Sequence, residues 1–173
     1  PGMAGCFRCP VNCRPLNDLK AEGKGDRYDA GDGPEYVTLG KFGPNIGIED
    51  PRLVLRFNNI CNDLGFDTAS MGSAIAWAME LYQRGIIGKA ETGGLDLTWG
   101  NAEAIEKALF LTAKREGFGD VLADSAAAVR TGKYPAEALK YRMAVKNLMQ
   151  SDPHDARILK AFALGLAVAT RGM

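Results

Sequence analysis

Three cysteines lie close together near the start of the chain, in the pattern Cys6-x₂-Cys9-x₃-Cys13. Iron–sulfur clusters are held by cysteine thiolates at short spacings of this kind, with a fourth ligand from elsewhere in the chain. Two alternatives stay open: a tetrahedral zinc site that adds His154 as the fourth ligand, and a disulfide with a spare thiol. Disulfides belong to oxidising compartments, and the first residues do not resemble a secretion signal, so we expect a cytoplasmic protein. The spacing therefore favours an iron–sulfur cluster.

A second group of polar residues lies where one predicted helix ends and the next begins, in the stretch 61–68 (Cys-Asn-Asp-Leu-Gly-Phe-Asp-Thr). Asp67 suits the N-cap position of the second helix, and that is its simplest explanation. Cys61 lies on an apolar helical stripe and is therefore most simply a core thiol. Asn62 and Asp63 have no obvious local partner. We expect this corner to present carboxylates and amides beside a helix N-terminus.

The elements that must position these residues divide the chain in two. Residues 1–50 are rich in Gly, Pro, Asn and Asp and show no lasting period, which predicts an irregular loop ordered by its metal, with a short extended piece at 36–39. Residues 51–173 show helical periodicity, which predicts a multi-helix domain. The expected fold class is mainly α, with a glycine-rich cluster loop at one end.

Five helices are predicted in the second part. Pro51 with Asp50 as cap begins the first, Asn101 caps the third, and Asp120 caps the fourth. The second opens at residues 67–68. The last is expected to begin at Pro153 and to be deeply buried, because apolar residues cover much of its circumference.

The charge balance limits the possible partners. The chain has 21 basic and 21 acidic residues, which argues against a nucleic-acid or membrane-surface binder because both depend on a basic excess. No run of 18 apolar residues exists, so we expect no membrane span. The chain begins at Pro1 and ends just after an apolar helix, and we expect it to be a fragment of a larger protein.

Several ordered pieces of the sequence together resemble one family. The pieces are the cysteine run, Gly33-Pro34-Glu35-Tyr36, the stretch 61–68, Leu97-Thr-Trp-Gly-Asn101, Arg115-Glu-Gly-Phe-Gly-Asp120, and Gly165-Leu-Ala followed by Thr170-Arg-Gly172. The chain resembles the middle, helical part of the tungsten-containing aldehyde ferredoxin oxidoreductase family.

This resemblance implies a [4Fe–4S] cluster beside a tungsten, or sometimes molybdenum, bis-pterin cofactor. Cys6, Cys9 and Cys13 match the first three cluster ligands, and the fourth lies in a later motif that this chain lacks. Glu35 matches a glutamate near the metal, where it could act as general acid or base. The family's D-x-x-G-L-D pterin motif matches the corner with Asn62 in place of its first Asp, and its members here are Asn62, Asp63, Gly65 and Asp67.

The resemblance leaves the reaction open between branches. The family oxidises small aldehydes to carboxylates with ferredoxin, or another electron-transfer subunit, as acceptor. A related branch reduces aromatic acyl-CoA thioesters with a tungsten subunit, and the stretch 151–155 and the last predicted helix resemble that branch more closely. In it a cysteine can ligate tungsten directly, and Cys61 is the candidate here. A non-catalytic iron–sulfur electron-transfer module is the third possibility. We expect a homo- or hetero-oligomer.

Overall fold

A computed structural model describes residues 2–20, 25–150 and 157–170 of the chain. The described part is mainly helical, as the sequence predicts. All of its α-helices except the last share one core, in which large side chains such as Phe57, Ile75 and Leu109 are fully buried. The helices are α1 Tyr36–Phe42, α2 Pro51–Leu64, α3 Thr68–Gln83, α4 Ala102–Lys114, α5 Phe118–Ala123, α6 Ser125–Arg130 and α7 Lys160–Val168.

A small antiparallel sheet precedes the helices. Its strands are β1 Gly2–Ala4, β2 Arg14–Asp18 and β3 Ala30–Asp32, in the order β1-β2-β3, and Leu16 pairs with Asp32. We expected residues 1–50 to be irregular apart from one extended piece, but their described part contains these three strands, the helix α1 and two short 3-10 helices, Arg27–Asp29 and Pro44–Ile46. The division into a cluster loop at 1–50 and a helical domain at 51–173 stays a prediction.

The prediction of an extended piece at 36–39 is wrong, because these residues form the first turn of α1. Tyr, Val and Thr favour strands, but tertiary contacts override that preference here. The Thr38 hydroxyl lies 2.7 Å from the Thr68 hydroxyl of α3. Further along, a Cβ at Gly72 would lie 2.8 Å from the Cβ of Lys41, so α1 packs closely on α3 only because residue 72 is glycine.

The first three predicted helices are confirmed as α2, α3 and α4, together with their caps. The carboxylate of Asp50 accepts from the Arg52 N–H at 2.8 Å, and α2 ends at Gly65, whose φ is 72°. Asn101 Oδ1 accepts from the Ala104 N–H at 3.2 Å. These helices were predictable because each combines an apolar stripe with a strong cap.

The fourth predicted helix is two short helices, α5 and α6, broken at Asp124. The expected cap is wrong: Asp120 lies in the first turn of α5 and pairs with Arg115 at 2.8 Å. Asp124 instead caps α6 by accepting from the Ala127 N–H at 2.9 Å. Beyond them, Ala144–Val145 and Leu148–Met149 form a two-stranded hairpin, β4 and β5.

The last helix is exposed, although we predicted that it would be deeply buried. No residue of α7 is buried, and Ile158 before it, Leu164 and Val168 are 77%, 65% and 70% exposed. The prediction failed because apolar periodicity does not tell which surface will cover a helix. Its predicted start at Pro153, and with it His154, lies outside the described residues. No helix in the described ranges is long and apolar enough to cross a membrane.

Candidate metal centre and cofactor pocket

The three cysteines lie in the connection between β1 and β2, which turns twice. The Cys9 N–H donates to the Cys6 carbonyl at 2.9 Å, and Arg8 and Asn12 adopt left-handed backbone conformations with φ of 58° and 49°. Each turn stands directly before a cysteine, so each redirects the chain at a thiol. Gly5 closes the base of the loop, because a Cβ there would lie 2.3 Å from Asn12 Oδ1.

All three thiols are free, with Cys6 and Cys13 exposed and Cys9 half-buried. Among the described residues, no three His, Cys, Asp or Glu side chains converge on a point where they could hold one metal ion. A four-iron cluster does not need such a point, because its four cysteines bind four irons and therefore surround it. Three thiols with a fourth ligand from elsewhere fit the donor set of a [4Fe–4S] cluster and also that of a tetrahedral zinc site.

Glu35 and Asp67 occupy equivalent positions at the starts of two neighbouring helices. Glu35 is the N-cap residue of α1, and its exposed carboxylate makes no capping hydrogen bond. Asp67 is the N-cap residue of α3 and accepts from the Ser70 N–H at 2.8 Å. The hydroxyl contact between Thr38 and Thr68 ties the two first turns together. The structure thus brings two predicted site residues, 32 positions apart in sequence, to the ends of adjoining helices.

The remaining residues of the corner have structural partners. Asn62 Nδ2 donates to the Asp32 carbonyl at 3.0 Å, and Asp63 forms an ion pair with Arg27. Gly65 ends α2 in a left-handed conformation that favours glycine. These contacts, which the sequence did not indicate, attach the end of α2 to β3 and to the short turn before it.

Cys61 points the other way, into the helical core, where it is fully buried. Burial, with a smaller effect from the Asp67 charge, raises the pKa of this thiol to about 12. Burial thus disfavours the thiolate, which is the form of cysteine that binds metals. Its surroundings are those of a core side chain, and they weigh against the suggested role as a tungsten ligand.

A cavity of about 340 Å³ opens beside Asp67. Phe66 and Met71 contribute apolar surface, and Arg142 contributes a half-buried cation that donates to Ser125 Oγ at 2.8 Å and to the Asn147 carbonyl at 3.0 Å. Burial lowers the pKa of Arg142. The sequence did not single out this cavity because its walls come from α3, α5, α6 and the β4–β5 hairpin. An apolar cavity with a few convergent polar groups is the usual form of a small-molecule site.

Comparison with known proteins identifies the family. The family model for aldehyde ferredoxin oxidoreductase, domains 2 & 3, matches residues 1–173. The chain belongs to the aldehyde ferredoxin oxidoreductase family. The resemblance drawn from the motifs is thereby confirmed.

The relatives that match this chain are considerably longer than it is. The tungsten-containing aldehyde ferredoxin oxidoreductase of Pyrococcus horikoshii is 36% identical over 173 residues, covering 96% of this chain and 26% of the relative. The WOR-like subunit of the aliphatic sulfonate oxidoreductase of Pyrococcus furiosus is 34% identical over 146 residues, covering 82% of this chain and 23% of that subunit. The chain thus spans about a quarter of the length of these relatives.

A solved structure resembles the chain in fold as well. The BamBC active-site complex of benzoyl coenzyme A reductase, determined with 1,5-dienoyl-CoA, matches with a TM-score of 0.67 and 25% sequence identity. The match covers 87% of this chain and 21% of the matched chain. Both branches considered from the sequence are therefore represented among its relatives.

Proposed function

We propose that this chain supplies the cysteine loop and part of the pterin pocket of a tungsten oxidoreductase that oxidises aldehydes to carboxylates. Family membership over residues 1–173 carries the proposal. Two features of the chain support it. The cysteine loop offers three free thiols that make no disulfide, and the corner at Asp67 borders a cavity of about 340 Å³.

Cys6, Cys9 and Cys13 would hold a [4Fe–4S] cluster, with the fourth ligand from outside these 173 residues. The backbone turns at Arg8 and Asn12 would present Cys9 and Cys13 to it. Hydrogen bonds and burial around the sulfurs would tune its potential.

The corner residues Asn62, Asp63, Gly65 and Asp67 would bind a pterin. One carboxylate oxygen of Asp67 accepts from the Ser70 N–H, and the carboxylate can accept further hydrogen bonds. Asn62 already donates a hydrogen bond to β3, and Asp63 is paired with Arg27. Asp67 is therefore the strongest candidate for direct pterin contact. Cys61 would serve as a core thiol.

Glu35 would handle the proton that accompanies the redox reaction. Its exposed carboxylate does not cap α1 and so can accept a proton from substrate and return it to solvent. When bound, the tungsten pterin supplies two-electron redox chemistry, and the cluster supplies single-electron transfer to ferredoxin or another electron-transfer subunit.

A second candidate function is reduction of an aromatic acyl-CoA. The likeness to the BamBC complex, with a TM-score of 0.67, favours it. The stretch 151–155, which suggested this branch in the sequence, lies outside the described residues. An electron-transfer module that holds the cluster without the pterin is a third candidate.

The test uses the full-length protein, purified without oxygen, for metal analysis and turnover. We expect about four irons per chain, tungsten and released pterin fluorescence, with electrons passing from a small aldehyde to ferredoxin. Turnover of an aromatic acyl-CoA alone would favour the second candidate, and iron without tungsten or pterin would favour the third. Zinc as the only metal would contradict all three, and loss of that zinc on His154→Ala would establish the zinc site instead.

A further inference from the structure

Two asparagines occupy the middle of α2, where asparagine is unfavourable. Asn58 and Asn59 are 3% and 5% exposed. Asparagine competes with the helix backbone for hydrogen bonds, and a buried amide costs free energy unless its groups are bonded. A pair of them in a helix interior is therefore a signal in the sequence that a specific set of partners exists.

Asn58 fastens the end of β3 to α2. Its Nδ2 donates to the Asp32 carbonyl at 2.7 Å, and the same carbonyl accepts from Asn62 at 3.0 Å. Gly33 follows with a left-handed φ of 91°, and a Cβ there would lie 3.1 Å from the Asn58 amide. The chain is thus held against α2 directly before Pro34 and Glu35.

Asn59 fastens β2 to the same helix. Its Nδ2 donates to Asn17 Oδ1 at 3.0 Å and to the Tyr28 carbonyl at 2.9 Å. Asn17 in turn donates to the Gly33 carbonyl at 3.1 Å. The neighbouring strand β3 also lies against Asn59. A Cβ at Gly31 would lie 2.4 Å from Asn59 Oδ1, so β3 approaches this amide as closely as glycine allows.

These contacts join the two segments to which the proposed function assigns chemistry. β2 begins directly after Cys13, and β3 ends three residues before Glu35. A backbone hydrogen bond also joins these segments, because the Gly33 N–H donates to the Pro15 carbonyl at 2.8 Å. The cysteine loop and Glu35 are therefore held to α2 through one set of side-chain amides.

We propose that Asn17, Asn58 and Asn59 form an amide clamp that positions Cys13 and Glu35 relative to each other. The proposal rests on the proposed function, in which Cys13 binds the cluster and Glu35 moves a proton. Asn58 and Asn59 are buried, so we assign them a positioning role rather than a catalytic one. The clamp makes the geometry of the cluster ligand and that of the carboxylate change together when it is broken.

The test compares Asn59→Leu with Asn101→Ala in the full-length, metal-loaded protein. Leucine has the same branching at Cγ as asparagine, is larger, and cannot form its hydrogen bonds. Asn101 is the control because its side-chain amide also makes hydrogen bonds, to the Ala104 N–H and the Asp96 carbonyl, but it caps α4 outside the clamp. The readouts are the electron paramagnetic resonance spectrum of the reduced cluster, the pH dependence of kcat, and hydrogen exchange at the Gly33 amide in metal-free protein.

We expect Asn59→Leu to shift the cluster spectrum and the pH profile together, and to lower kcat about 10- to 100-fold with little change in KM, as for a small misplacement of reacting groups. Exchange at Gly33 should speed up. Asn101→Ala should lower the melting temperature without moving these three readouts. An Asn59→Leu protein that matches Asn101→Ala in all of them would overturn the clamp.

The milder variant Asn17→Ala covers the case in which Asn59→Leu does not fold. Asn17 is half-buried, and its amide donates to the Gly33 carbonyl and accepts from Asn59, so this variant should give the same shifts at smaller size. No faster exchange at Gly33 in Asn17→Ala would count against the clamp. A wild-type protein without iron would instead refute the proposed function, which the exchange measurement does not depend on.

Discussion

The chain carries cysteine and a helix-starting carboxylate in two places, and their surroundings differ. In the cysteine loop and at Glu35, the thiols are free and the carboxylate does not cap its helix. At the corner, Cys61 is fully buried and Asp67 caps α3 through the Ser70 N–H. In the proposed function, the thiols and the carboxylate without structural partners carry the chemistry, Cys61 belongs to the core, and Asp67 caps α3 as well as contacting the pterin. Three substitutions test this contrast.

The largest expected effect comes from Glu35→Gln. Losing a general acid or base typically costs about 10²–10⁴-fold in rate, so kcat should fall by at least about 100-fold. The melting temperature should hardly change, because the Glu35 carboxylate makes no capping bond. Steady-state turnover and thermal unfolding of the full-length protein measure the two. Glu49→Gln, at an exposed carboxylate before α2, is the control, and equal kcat in both variants would remove Glu35 from the mechanism.

The next effect is a pH dependence of stability at Cys61. Because the folded state raises the pKa of this thiol to about 12, the unfolded chain loses its proton first as pH rises. The free energy of unfolding should therefore fall between about pH 8.5, the pKa of a free thiol, and pH 12, with about 1–2 kcal/mol lost at pH 10.

Cys61→Val isolates that contribution, because other titrating groups act equally in both proteins. Urea unfolding at pH 7 and pH 10 should show a smaller decline for the variant than for the wild type. Parallel declines would mean that Cys61 is accessible as a thiolate, and the contrast between the two sets of cysteines would fail.

The smallest effect separates the two possible duties of Asp67. Asp67→Ala and Asp50→Ala each remove an N-cap and should each cost about 1 kcal/mol, measured by urea unfolding. We also expect Asp67→Ala, unlike Asp50→Ala, to reduce the pterin bound per chain, measured by fluorescence after release. Equal pterin content in the two variants would leave Asp67 with capping alone.

Much of the fold could be predicted from the sequence, because α2, α3 and α4 combine apolar stripes with strong caps. Helix α1 could not, because the contacts that stabilise it, such as Thr38 with Thr68, come from residues distant in sequence. The exposure of α7 could not be predicted either, since periodicity shows which residues are apolar but not what covers them.

The residue types of the candidate site could be predicted from the sequence better than the contacts that these residues make. The spacing of Cys6, Cys9 and Cys13 pointed to a metal because chemistry restricts that pattern. The partners of Asn62 and Asp63 could not be predicted, because β3 and Arg27 come close to these residues only in the folded chain. Asn58 and Asn59 did leave a signal, which is their unfavourable place inside a helix.

Iron content of the full-length protein and two cysteine variants tests the central claim most directly. The account predicts about four irons per chain in the wild type, clear loss of iron in Cys13→Ala, and the wild-type amount in Cys61→Val. Full iron in Cys13→Ala, or its loss in Cys61→Val, would contradict the assignment of the cluster to the loop and of Cys61 to the core.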